Sequence, residues 1–98
     1  MSENCLIGGV LFEWDSNKAE LVLKEHSLTM QECASVLINE TTITKPDYRH
    51  YDEERFISTG YSNQAKILTV IWTDRGDRIR LITGFKATKD QTKEFHRG

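Results

Sequence analysis

A chain of 98 residues is long enough for one domain with a single modest core. Its two cysteines, Cys5 and Cys33, lie far apart in no metal or redox spacing, and no apolar run approaches the roughly 18 residues of a membrane span, so a soluble, cytoplasmic protein with reduced thiols is expected. The formal net charge of −2 hides an asymmetry: residues 1–40 carry seven carboxylates against two cations, and residues 74–98 carry seven cations against four carboxylates, which points to a phosphate-facing C-terminal end.

Residues 6–14 read as a first strand whose start is loosened by Gly8-Gly9. Asp15 is a good N-cap for a helix over residues 16–26, with Ala19, Val22, Leu23 and His26 on one buried stripe. Thr29 and Glu32 form a capping box, with Leu28 and Cys33 placed as a hydrophobic staple, so a second helix should start there and present Met30, Cys33, Ala34, Leu37 and Ile38 to the core. The short link between the two predicts a helical hairpin lying on a sheet. A short strand over residues 41–45 is stopped by Pro46-Asp47, residues 48–53 form an exposed polar loop, and residues 55–61 form the next strand.

Ile67-Leu68-Thr69-Val70-Ile71-Trp72-Thr73 is an apolar run suited to the middle of a sheet. The turn Asp74-Arg75-Gly76-Asp77 folds it back into a hairpin strand over residues 78–86. By strict alternation Arg78, Arg80, Ile82, Gly84 and Lys86 share one face of that strand and Ile79, Leu81, Thr83 and Phe85 the other. Thr88 and Gln91 make a further capping box for a last helix over residues 89–96. The predicted order is β-α-α-β-β-β-β-α in one domain over residues 1–98: α+β, with a mostly antiparallel sheet, a helical hairpin on one face and a short C-terminal helix.

Phe12-Glu13-Trp14-Asp15, Lys18, His26, the helix around Ala34, Glu54-Arg55-Phe56, Gly60, the long hairpin and Lys86-Ala87-Thr88 together resemble the BrnT toxins of bacterial type II toxin–antitoxin modules, over residues 12 to about 95. That resemblance implies a RelE/ParE-like fold, an endoribonuclease activity that halts translation, and neutralisation by a BrnA-like antitoxin with a ribbon-helix-helix DNA-binding domain. Operator DNA is then reached only through the antitoxin, and a homodimer or a 2:2 toxin–antitoxin complex is implied. The chain departs from the family pattern at Val22 (usually Asn), Glu25 (Lys), Thr83-Gly84-Phe85 (Ser-Ala-Arg), Gln91 (Glu) and Phe95 (Tyr).

Metal-free RNA cleavage needs the 2′-OH deprotonated, the leaving 5′-oxygen protonated and the crowded phosphate charge stabilised. Arg78, Arg80 and Lys86, with Arg55 from the neighbouring strand, form a candidate phosphate cradle, with Arg75 and Lys89 as further RNA contacts. Glu54 beside Arg55, or His50 in the loop, is the candidate proton carrier, and His26 is more simply a packed histidine. Tyr48 and Tyr51 flank Arg49 and His50 as candidate base-stacking groups, whereas Trp72 belongs to the core. No metal-ligand spacing is present and no cofactor is expected. Two functions follow: a metal-independent endoribonuclease toxin, or a catalytically weakened toxin that serves as an antitoxin-binding co-repressor.

Overall fold

The computed structural model describes residues 1–49 and 52–98. The elements are β1 (Ser2–Ile7), β2 (Val10–Asp15), α1 (Ser16–His26), α2 (Met30–Leu37), β3 (Ile43–Asp47), β4 (Arg55–Tyr61), β5 (Ile67–Asp74), β6 (Ile79–Lys86) and α3 (Lys89–Arg97). The strands form one six-stranded sheet in the order β1-β2-β6-β5-β4-β3, antiparallel throughout except for the parallel pair β2–β6. The α+β class and the C-terminal helix are as expected.

The N-terminal stretch corrects the predicted order. Residues 6–14 are not one strand: Gly8 and Gly9, at φ of +57° and +80°, make a two-residue turn between β1 and β2. Positive φ at both central positions is what a tight hairpin turn needs, and two glycines supply it without steric cost. The polar segment Ser2-Glu3-Asn4-Cys5 becomes an edge strand registered against residues 12–15.

The helix signals hold where a cap dictates them. The Asp15 carboxylate accepts the Lys18 amide at 3.1 Å and starts α1, and Ser27 in the left-handed region ends it. Thr29 caps α2 by accepting the Glu32 amide at 3.1 Å, but the Glu32 side chain does not return to complete the box. Its carboxylate accepts the Ser62 hydroxyl at 2.8 Å and lies 3.6 Å from the Lys66 ammonium, tying α2 to the β4–β5 turn. In α3 both halves of the Thr88/Gln91 box are formed.

One apolar core fills the space between α1, α2 and the sheet: Phe12 and Trp14 from β2, Leu68 and Val70 from β5, Leu81 from β6, and Val22, Met30, Cys33, Ala34 and Val36 from the helices. Burial of each large side chain here is worth about 1.5–3 kcal/mol. The predicted α1 stripe is narrower than four residues, since Val22 is buried while Leu23 is 55% exposed and His26 is exposed. Pro46 does not stop β3 but lies within it, which an edge strand tolerates because its missing N–H faces no neighbour. The opposite sheet face carries α3, whose Phe95 meets Tyr61 edge-on at 5.4 Å and whose Gln91 accepts the Thr69 hydroxyl at 2.8 Å.

Candidate functional site

Two features place the arginines: the parallel β2–β6 pairing and a slip in the β5–β6 register. Arg80 is registered with Thr73 on one side and with Glu13 on the other. Up to Trp72↔Leu81 the hairpin alternates regularly; beyond it the pairing jumps to Ile71↔Thr83, leaving Ile82 as an extra residue. A bulge of this kind reverses the facing of everything after it. Gly84 therefore turns to the helix face, where a Cβ would collide with the Cys33 thiol, and Lys86 pairs with core-facing Leu68. Phe85 pairs with Thr69 and joins the face of Arg78 and Arg80. The expected face of Arg78, Arg80, Ile82, Gly84 and Lys86 is thus corrected: the bulge keeps the two arginines together and removes Gly84 and Lys86.

Glu13 organises the arginine pair. Its Oε2 accepts from Nη1 of Arg80 at 2.8 Å and its Oε1 from Nη1 of Arg78 at 3.2 Å. Arg80 first, with Arg78 beside it, holds this carboxyl below the usual range against the opposing effect of burial. Arg78 is also gripped by Asp77 through Nε and Nη2, both at 3.2 Å, which lowers the Asp77 pKa and raises that of Arg78. Sequence reasoning proposed no chemical role for Glu13. The available signal was a carboxylate in a strand between two large apolar residues, but its partners depend on a strand order that local patterns do not reveal.

A second cluster lies across β5. Glu53 reaches the Arg55 guanidinium at 3.9 Å and that of Arg75 at 3.4 Å, and Thr73 of β5 ties in by donating to the Glu54 carbonyl at 2.7 Å. Since Phe56 pairs with Trp72, the preceding Arg55 shares the face of Thr73 and Arg80. Arg55 is not on the strand next to β6, however: β5 intervenes, which separates the two backbones by about 10 Å. Glu53, not Glu54, is the carboxylate beside Arg55; the exposed Glu54 carboxylate has no hydrogen bond or ion pair among the described residues. Tyr48 follows β3 at this same end of the sheet, where Asp47 pairs with Arg55, and is 90% exposed. His50 and Tyr51 lie outside the described residues.

The other candidates are dispersed. Lys86 and Lys89 stand at the far end of β6, about 20 Å along the strand from Arg80. His26 is there too, exposed, with its ring 6.1 Å from that of Phe85. Trp72 is a core-side residue as expected, stacked on Phe56 at 4.7 Å with its indole N–H donated to Ser58. Burial pushes the Cys33 thiol up to about 12, so it is a packed, inert group. Among the described residues no group of three or more His, Cys, Asp or Glu is placed to hold a metal ion, and no helix is long and apolar enough to cross a membrane. A groove of about 210 Å³ beside α1, lined by Trp14, Ala19, Leu23 and Met30 with Glu3 and Glu20, contains none of the candidate residues.

The open sheet face therefore offers three arginines, Arg55, Arg78 and Arg80, held by carboxylates, with Arg75 and Tyr48 at the same end. The chain is similar in fold to the Brucella abortus ribonuclease toxin BrnT, with a TM-score of 0.56 and 22% identity, over 78% of this chain and 94% of that one. No curated protein matches it by sequence. The family model for the ribonuclease toxin BrnT of type II toxin–antitoxin systems matches residues 14–91, which leaves β1 and most of β2, Glu13 included, ahead of the matched stretch. On that match, this chain belongs to the BrnT family of ribonuclease toxins.

Proposed function

We propose that the chain is a metal-independent endoribonuclease that cuts single-stranded or ribosome-bound mRNA in the cytoplasm and so inhibits translation. The observation that supports this reading best is the shared face of Arg55, Arg78 and Arg80, which can meet a phosphodiester from two sides of β5. Fixed guanidinium groups aimed at a phosphate act on the charge that develops in the transition state, where loss of one such donor typically costs about 10²–10³-fold. Proton transfer falls to Glu54, whose carboxylate is exposed at the Arg55 end, or to His50. Glu13 is unsuited to the role of base because its proton affinity is already lowered by two arginines. A BrnA-like ribbon-helix-helix antitoxin is the proposed neutralising partner, bound in a 2:2 complex that reaches operator DNA through the antitoxin alone.

The test is inducible expression in bacteria without antitoxin. Growth arrest with fragmented mRNA is expected, and Arg55→Ala and Arg80→Ala should each lower cleavage by about 10²-fold while the protein stays folded. Normal growth with intact RNA would count against the enzyme reading. A second reading, a weakened toxin acting as co-repressor, draws on a specific observation: Phe85 stands on the arginine face where the family pattern has Arg. An inert chain that still binds its antitoxin and sharpens operator binding would favour it.

A further inference from the structure

The two guanidinium groups that meet Glu13 are not equally available. Arg78 has its Nε and Nη2 on the two Asp77 oxygens and its Nη1 on Glu13, so both its forked edge and its remaining arm are engaged. Arg80 is held through one nitrogen: Nη1 donates to Glu13 at 2.8 Å and lies 3.4 Å from the Ser2 hydroxyl. Its Nε and Nη2 have no bond among the described residues and are not buried. That pair of N–H groups is the planar edge that matches two phosphate oxygens.

Glu13 itself is firmly placed. Phe12 and Trp14 on either side are 0% and 2% exposed in the core, its own side chain is 16% exposed, and its register partner across the parallel pair is Arg80. A carboxylate fixed in this way removes rotamer freedom from the arginine it holds without covering the forked edge.

We propose that Glu13 is a positioning residue: by gripping Nη1 of Arg80 it turns the Nε–Nη2 edge of that guanidinium outward to receive one phosphodiester of a single-stranded RNA. The assignment rests on the ribonuclease reading above and divides the labour within it. Arg80 is the phosphate fork, and Arg78 is a reserve site that opens only when RNA displaces the Asp77 carboxylate, which is 72% exposed.

The proposal has a sign that plain electrostatics does not. Removing a carboxylate beside a polyanion should strengthen binding if charge alone matters; removing the group that aims Arg80 should weaken it. The experiment measures fluorescence anisotropy of a short labelled single-stranded RNA with the full chain made by cell-free synthesis, and the thermal melt of each variant. Glu13→Gln is expected to weaken binding about tenfold in the wild-type background, the loss of one charge-assisted contact, and to change it less than about twofold when Arg80→Ala is already present. Arg80→Lys, which keeps the charge and loses the fork, should lose as much as Arg80→Ala. Asp77→Asn, which frees Arg78, should tighten binding. Equal or tighter binding by Glu13→Gln, or an equal loss in the Arg80→Ala background, overturns the assignment while leaving the nuclease reading in place. A wild-type chain that binds no RNA at low salt overturns both.

Discussion

Phe12 and Glu13 are neighbours in one strand and belong to different molecules in all but backbone. The Phe12 ring is fully buried among α1, α2 and the apolar side chains of β5 and β6. The Glu13 side chain points to the other face, where its two contacts are arginines. Alternation along a strand gives the two faces separate duties, so stability and recognition can change independently here. The arginine face is also nearly neutral locally, since Glu13 and Asp77 together match the charges of Arg78 and Arg80. On the proposed reading, function on this sheet rests on which N–H groups stay open, not on an excess of positive charge.

The sharpest way to break the symmetry between the faces is to truncate each neighbour. Phe12→Ala should cost about 3–5 kcal/mol, the usual range for emptying a large aromatic from a packed core, and lower the melting temperature by more than 10 °C at about 4–8 °C per kcal/mol for a domain of this size. Glu13→Gln should melt within a few degrees of wild type, because ion pairs near a surface contribute roughly 0–1 kcal/mol. Calorimetry or a circular-dichroism melt of the two variants checks both. Comparable losses would show that Glu13 is part of the structural core.

The second comparison runs along β6, across its bulge. On the Arg80 side the open face is charged and aimed; on the Phe85 side it is aromatic, with His26 beside it. Phe85→Arg restores the family's residue on the same face as Arg80, and Phe85 is only half-buried, so the fold should accept it. We expect cleavage of a labelled RNA to rise at least about tenfold, a modest share of what one well-placed cation can supply to a phosphoryl transition state. An unchanged, negligible rate would favour the co-repressor reading.

How much of this was legible beforehand follows from the range of each signal. Local chemistry was readable: Asp15, Thr29 and Thr88 cap helices where their side chains announced them, and the β5–β6 hairpin lies where its Gly-containing turn placed it. Gly8-Gly9 carried the hairpin signal as well, yet the polar segment before it lacks the alternation of a half-buried strand, because β1 is a largely exposed edge. The parallel β2–β6 contact joins residues 67 apart, and nothing local to Glu13 or Arg80 encodes it. The bulge was equally hidden, since Ile82 looks like any strand residue. It is matched by packing: the extra residue turns Gly84 toward Cys33, where any larger side chain would collide with the thiol. The sequence thus brought Arg78 and Arg80 onto one face, as the structure does, and left out the carboxylates that hold them.

The finest distinction between the faces concerns acid. Glu13 is held below the ordinary carboxylate value of 4.5 by Arg80 and Arg78. A carboxylate with a depressed folded-state pKa binds fewer protons folded than unfolded, so its contribution to stability is complete above about pH 4.5 and is lost as pH falls through the folded value. Asp77 acts in the same direction from a starting value of 3.8, while Arg78, whose pKa is raised by Asp77 first and by Glu13, stays protonated throughout. The melting temperatures of wild type and Glu13→Gln should therefore differ by a small, constant amount from pH 7 to about 5 and converge as pH drops toward 3. Asp77 is common to both proteins and cancels in the difference. Phe12 packs in the apolar core, where the Cys33 thiol is pushed up to about 12 and stays protonated throughout this window. Phe12→Ala should accordingly keep the same deficit relative to wild type at every pH in the series. A deficit of Glu13→Gln that persists unchanged at pH 3 would mean that Glu13 stabilises the sheet by packing and not by its charge, and that its hold on Arg80 is incidental.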